Sequence, residues 1–90
     1  MNPTDKKKLR AEAHTLKPVV TVGQSGLTAS VLAEIELALN CHELIKIKIR
    51  AERDSRKLIS EQIHSDTGAE IIQSIGQIVV IHRLNPNKSD

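Results

Sequence analysis

The chain has 90 residues, enough for one domain and too few for two independent cores. Leu, Ile and Val make up 26 of them, over a quarter, which clears the roughly 20% aliphatic and aromatic content below which disorder is expected; Phe, Tyr and Trp are absent, which excludes base stacking on aromatic rings and an aromatic cage for a cation. The net charge is only +2, from 13 basic and 11 acidic residues, so no strong overall field marks the chain as generally polyanion-binding or acidic.

Leu9, Ala13 and Leu16 recur at helical spacing and predict a short amphipathic helix over 5–16, closed by Pro18, which pushes the residue before it out of helical geometry. Val19-Val20-Thr21-Val22 is short, branched and apolar, as a strand is. Gly23-Gln24-Ser25-Gly26 then breaks the chain. A second helix is predicted from Thr28, its N-cap, to about Asn40, with Leu27 and Leu32 placed as a hydrophobic staple and Leu27, Val31, Ile35, Ala38 and Leu39 as its buried stripe.

Leu44 to Arg50 alternates cleanly and predicts a strand with Ile45, Ile47 and Ile49 turned to the core and Lys46, Lys48 and Arg50 to the opposite face. A third helix is predicted over 55–67, capped by Asp54 or Ser55, with Leu58, Ile59, Gln62 and Ile63 on one side and Gly68 as a left-handed terminator. Glu70 to Ile75 and Ile78 to Leu84 read as two final strands joined by Gly76-Gln77, a two-residue hairpin with glycine first. The tail from Asn85 to Asp90 is polar and expected to fray, leaving one domain over 1–84.

The order α-β-α-β-α-β-β predicts a two-layer α+β fold on a four-stranded mixed sheet. Right-handed crossovers that progress in one direction put the second and third helices on the same face. The other face is then open in part, and it carries Lys46, Lys48 and Arg50. Val19 and Ile72 are too apolar to leave bare, so the first helix is expected to cover some of it.

Charge is segregated along the chain. Residues 1–10 hold Lys6, Lys7, Lys8 and Arg10 against Asp5, and 44–57 hold six basic residues against Glu52 and Asp54. Glu34, Glu36 and Glu43 lie in 27–43 with nothing basic among them. A polyanion can dock on such basic blocks, although charge blocks also serve simply as solvated faces.

Gly23-Gln24-Ser25-Gly26 is the sharpest local feature. It follows a strand and opens a helix, where unpaired amides and the positive end of the helix dipole suit one phosphate. KH modules clamp a nucleotide backbone with a related G-x-x-G loop. Alone the motif is weak, because glycines between a strand and a helix are usually just a turn. The P-loop and dinucleotide fingerprints are both missing. Lys17, just before the first strand, and the basic face of the second are what set this loop apart, because such side chains neutralise phosphates without reading sequence. Replacing Gly26 with a bulky branched residue is expected to weaken binding while leaving the fold mostly intact.

Elsewhere the chemistry is sparse. His14, His42, His64 and His82 lack metal-ligand spacing, and the carboxylates form no acid–base pair, so neither a metal, a cofactor, a small-molecule substrate nor catalysis is expected. Ser25 has no evident base. The single Cys41 cannot form an internal disulfide, no stretch approaches the roughly 20 apolar residues of a membrane span, and the start is polar; a cytoplasmic protein without a secretory signal is expected.

Leu16-Lys17-Pro18-Val19-Val20, Gly23-Gln24-Ser25-Gly26-Leu27-Thr28, Val31-Leu32-Ala33-Glu34-Ile35 and His42-Glu43-Leu44-Ile45-Lys46-Ile47-Lys48, taken jointly, resemble the CRM domain (chloroplast RNA splicing and ribosome maturation) in its stand-alone bacterial YhbY-like form, over roughly residues 3–84. Arg53 and the Ile78 to Arg83 strand fit as well. The resemblance implies a fold similar to the C-terminal domain of translation initiation factor three. It also implies a non-catalytic RNA-binding protein associated with large-subunit ribosomal RNA or pre-ribosomal particles. Its G-x-x-G loop maps onto Gly23, Gln24, Ser25 and Gly26, and its basic surface onto Lys7, Lys8, Lys17, Lys46, Lys48 and Arg50. Many relatives carry a basic residue inside the loop, where this chain has Gln24 and Ser25, so the grip falls to backbone amides. Many also have an aromatic in the last strand, where this chain has His82. The alternative is a protein-interaction module that docks a basic partner on the acidic helix through Glu34, Glu36 and Glu43.

Overall fold

The structure, a computed structural model, describes residues 3–84, so the polar tail lies outside the described residues. Its elements follow the expected order: α1 (Pro3–Ala13), β1 (Pro18–Val22), α2 (Ala29–His42), β2 (Leu44–Ile49), α3 (Arg53–Thr67), β3 (Glu70–Ile75) and β4 (Ile78–His82). The four strands form one mixed sheet in the order β1-β2-β4-β3, with β1 and β2 parallel and the other pairs antiparallel.

The alternation of β2 decides the layering. Ile45, Ile47 and Ile49 are buried with Val20, Val22, Val79 and Ile81 beneath Ile35 and Leu39 of α2 and Ile63 of α3. Both later helices therefore cover one face, the closed face. Thr28 caps α2 as its sequence position predicts, its hydroxyl accepting from the Val31 N–H at 3.2 Å. Gly68 ends α3 at φ +75, a left-handed cap suited to glycine. Gly76 takes a positive φ of 55 in the hairpin. The link from α2 to β2 is the single residue Glu43, held at φ 60. That is an uncommon conformation for a residue with a side chain.

α1 settles on the other face. Ala13 is buried there with Ile72 and Val80, and Leu9 and Leu44 pack against them. Ile72 is covered as expected, but Val19 is not: it is 51% exposed at a register irregularity in β1. The helix also stops short of its predicted end. His14 and Thr15 form a turn in which the Thr15 hydroxyl donates to the Glu12 carbonyl at 3.2 Å, and Leu16 leaves the apolar stripe. Thr15 thus offers the backbone a local alternative to a further helical turn.

α3 begins two residues before its predicted start, with Glu52 at the cap position and no side-chain cap bond. Asp54 lies inside the first turn, where a negative charge favours the helix dipole. Its buried side differs from the apolar count. Leu58 is 67% exposed and Gln62 is exposed, while Ser60 and Thr67 are buried. Both hydroxyls are satisfied one helical turn back, on the carbonyls of Arg56 (2.8 Å) and Ile63 (2.7 Å), so their burial leaves no polar group unpaired.

Candidate nucleic-acid interface

The Gly23–Gly26 segment leaves the end of β1 as a tight turn closed by the Gly26 N–H donating to the Gly23 carbonyl at 3.0 Å. The Thr28 N–H donates to the Gly26 carbonyl at 3.0 Å, and α2 starts immediately after. Two amides of the approach are thus used internally, and Val31's is used by the cap. Among the described residues the Gln24, Ser25 and Leu27 amides make no backbone hydrogen bond. The same holds for the Ala29 and Ser30 amides, so amides without a backbone acceptor run from the turn into the first residues of α2.

The two glycines are not equivalent. Gly26 has φ +76, so any side chain there is strained and its replacement perturbs the turn itself. Gly23 has no such φ, and a Cβ added to it would meet nothing within 4 Å. The fold does not require glycine at 23. Gly23, not Gly26, is therefore the position where a side chain can be added without straining the turn.

Parallel pairing of β1 with β2 carries the loop to the cations. Thr21 pairs with Lys48 and Val22 with Ile49, and the Arg50 N–H donates to the Val22 carbonyl at 2.9 Å. Arg50, exposed just past the strand, is thereby fixed beside the first residue of the loop. At the far end Lys46 pairs with Pro18, next to the exposed Lys17, and its Nζ donates to the Leu16 carbonyl at 3.0 Å. Its partner is a neutral carbonyl, so its charge is not cancelled and two of its three N–H donors remain. Lys46 and Lys48 stand about 6.6 Å apart along the strand at ~3.3 Å per residue. Lys17, Lys46, Lys48, Arg50 and the loop follow one seam.

Lys7 and Lys8 do not join that seam. They are exposed in the first half of α1, whose neighbouring residues Asp5 and Lys6 line clefts with Glu70 at the opposite end of the sheet. Arg53, Arg56 and Lys57, counted in the basic block along the chain but not assigned to the interface, crowd the start of α3 just beyond Arg50; of these, Arg56 turns a guanidinium N–H to the Ala51 carbonyl at 2.8 Å. Their density in 44–57 was the available signal.

On the closed side, Arg83 ties elements together. Its guanidinium bonds the Glu36 carboxylate, the Thr67 carbonyl at 2.9 Å and the Asn40 side-chain oxygen at 3.0 Å. Glu36 is thus held by an internal partner rather than offered to a basic protein. Among the described residues no group of three or more His, Cys, Asp or Glu side chains is placed to hold a metal ion, and no helix is long and apolar enough to cross a membrane.

The chain is similar to known proteins over nearly its whole length. Residues 1–83 match the CRS1 / YhbY (CRM) domain family. The chain is 45% identical to a probable RNA-binding protein of Pseudomonas aeruginosa over 82 residues, covering 90% of this chain and 79% of that one. It is 48% identical to an RNA-binding protein of Haemophilus influenzae over 84 residues, covering 92% and 85%. Its fold superposes on the solution structure of a hypothetical protein of Staphylococcus aureus, itself proposed to bind RNA. The TM-score is 0.85 at 28% identity, over 99% of this chain and 94% of the other.

Proposed function

The chain belongs to the CRS1 / YhbY (CRM) domain family, and from that premise we propose that it is a non-catalytic cytoplasmic protein that binds structured ribosomal RNA by the phosphate backbone and acts in assembly of the large ribosomal subunit. The observation that carries the reading is the Arg50–Val22 hydrogen bond, which joins the glycine turn to the cationic column of β2. Lys17, Lys46, Lys48 and Arg50 take successive phosphates, and the Gln24, Ser25 and Leu27 amides take one more. Backbone contacts of this kind give affinity and register without base sequence. Structured RNA suits them because its duplex regions are recognised by shape and phosphate position. Lys7 and Lys8 extend the positive surface at the far end of α1.

Replacing Lys46, Lys48 and Arg50 together by Gln tests the grip. Affinity for unrelated structured RNAs falls together, and the dependence of log K on log salt flattens by about 2–3, at ~0.7–0.9 per lost contact. Unchanged affinity and slope in the triple variant overturn the assignment. Crosslinking to total cellular RNA tests the ribosomal half of the reading. Recovery of large-subunit sequences is expected, and an even spread over messenger RNA overturns it.

A further inference from the structure

α1 leaves part of the open face bare, and that part carries more than cations. Strand register fixes its rows. Thr21, Lys48, Ile78 and Ile75 lie across from one another, and Pro18, Lys46, Val80 and Gln73 form the next row. A cationic column on β2 therefore stands beside an aliphatic column on β4 and β3. Ile75 is 63% exposed and Ile78 half-buried. Between the end of α1 and the hairpin opens a cleft of about 220 Å³ lined by His14, Lys46, Gln73, Ile75, Ile78 and Val80.

Phosphate contact alone gives no reason for bare isoleucine next to lysine. A nucleotide does, because it joins an anionic phosphate to a flat base with apolar faces and a polar rim. β2 and β4 are ~4.8 Å apart and β2 and β3 about twice that. A base resting on Ile75 and Ile78 thus keeps its own phosphate within reach of Lys48 and of the two unused N–H groups of Lys46. Bases inside a duplex hide their faces in the stack; those of loops, bulges and ends are splayed out and available.

The geometry points to a site for one unstacked RNA base on this face. The base lies on the aliphatic surface of Ile75 and Ile78. The Gln73 amide, both donor and acceptor, meets its hydrogen-bonding edge, and the His14 imidazole closes the rim. The site presupposes that the lysine column holds phosphate, and it adds an unpaired nucleotide to the ligand beside the structured RNA. It also supplies base contact without an aromatic ring, by burying the base against branched side chains.

The test compares a short unstructured oligoribonucleotide with an abasic strand of the same length and charge, at one salt concentration. The full chain is expected to bind the base-bearing strand several-fold more tightly. Ile75→Ser and Gln73→Ala each shrink that ratio toward one while leaving affinity for the abasic strand and the thermal midpoint in place. Equal affinity of the unmodified chain for both strands overturns the base site and leaves the phosphate reading standing. So does an Ile75→Ser variant with an unchanged ratio, the result expected if the patch docks a protein segment instead. Failure to bind either strand overturns the base site alone, since the phosphate reading concerns structured RNA, whereas a Lys48→Gln variant with full affinity for the abasic strand overturns the phosphate reading and the base site with it.

Discussion

On the closed face of the sheet, Ile45, Ile47 and Ile49 are sealed beneath α2 and α3; on the open face, Lys46 and Lys48, each one residue along, keep their charges at the surface. The open face is closed off only where Ala13, Ile72 and Val80 meet under α1. Core packing and surface charge are therefore interleaved along a single strand, one residue out of two for each. The pleat makes this possible, because successive side chains leave a strand in opposite directions. Neighbouring residues that differ in face should consequently differ in what they do.

The largest effect belongs to the closed face. Ile47→Ala removes a side chain with no exposed surface and should cost about 2–5 kcal/mol, visible as a lower urea midpoint. A cost under ~1 kcal/mol would mean the closed face is not the stabilising one. Arg83→Met comes next. It strips the Thr67 carbonyl, Asn40 and Glu36 of a shared donor and should cost about 1–3 kcal/mol in the same measurement, with little change in RNA affinity.

The glycine turn lies between the two faces and sharpens the contrast within four residues. Gly26→Ala should lower stability by about 1–2 kcal/mol, because its φ of +76 is left-handed. Gly23→Ala should leave the melting temperature nearly unchanged and still weaken RNA binding. If both glycines behave alike in the melt, the distinction between fold glycine and contact glycine fails. The smallest effect on stability belongs to the open face. Lys48→Gln should stay within about 0.5 kcal/mol of the parent in denaturation, while RNA affinity falls and its salt slope flattens.

Local signals placed most elements within a few residues. Period-two alternation over 44–50 marked β2 and its two faces, and Thr28, Gly68 and Gly76 marked a cap, a terminator and a turn that the structure retains. These depend on a residue and its near neighbours, so a sequence window contains them. Errors collected where a distant or competing partner decided the outcome. Leu58 and Gln62 fit an apolar stripe by spacing, yet Ser60 and Thr67 took the buried positions because carbonyls one turn earlier satisfied their hydroxyls. The end of α1 moved because Thr15 had a carbonyl within reach at Glu12.

The candidate site divides in the same way. Its residue types and its motif were legible along the chain: two glycines after a strand, and three cations alternating with isoleucine. That much the sequence by itself determined, since the backbone periods of helix and strand turn spacing directly into faces. Only the tertiary structure decided the register that ties the Val22 carbonyl to Arg50, that Lys46 turns one N–H to Leu16, and that α1 leaves Ile75 and Val19 bare. Each of those depends on pairing between segments far apart in the chain, and no local period encodes which surfaces will meet.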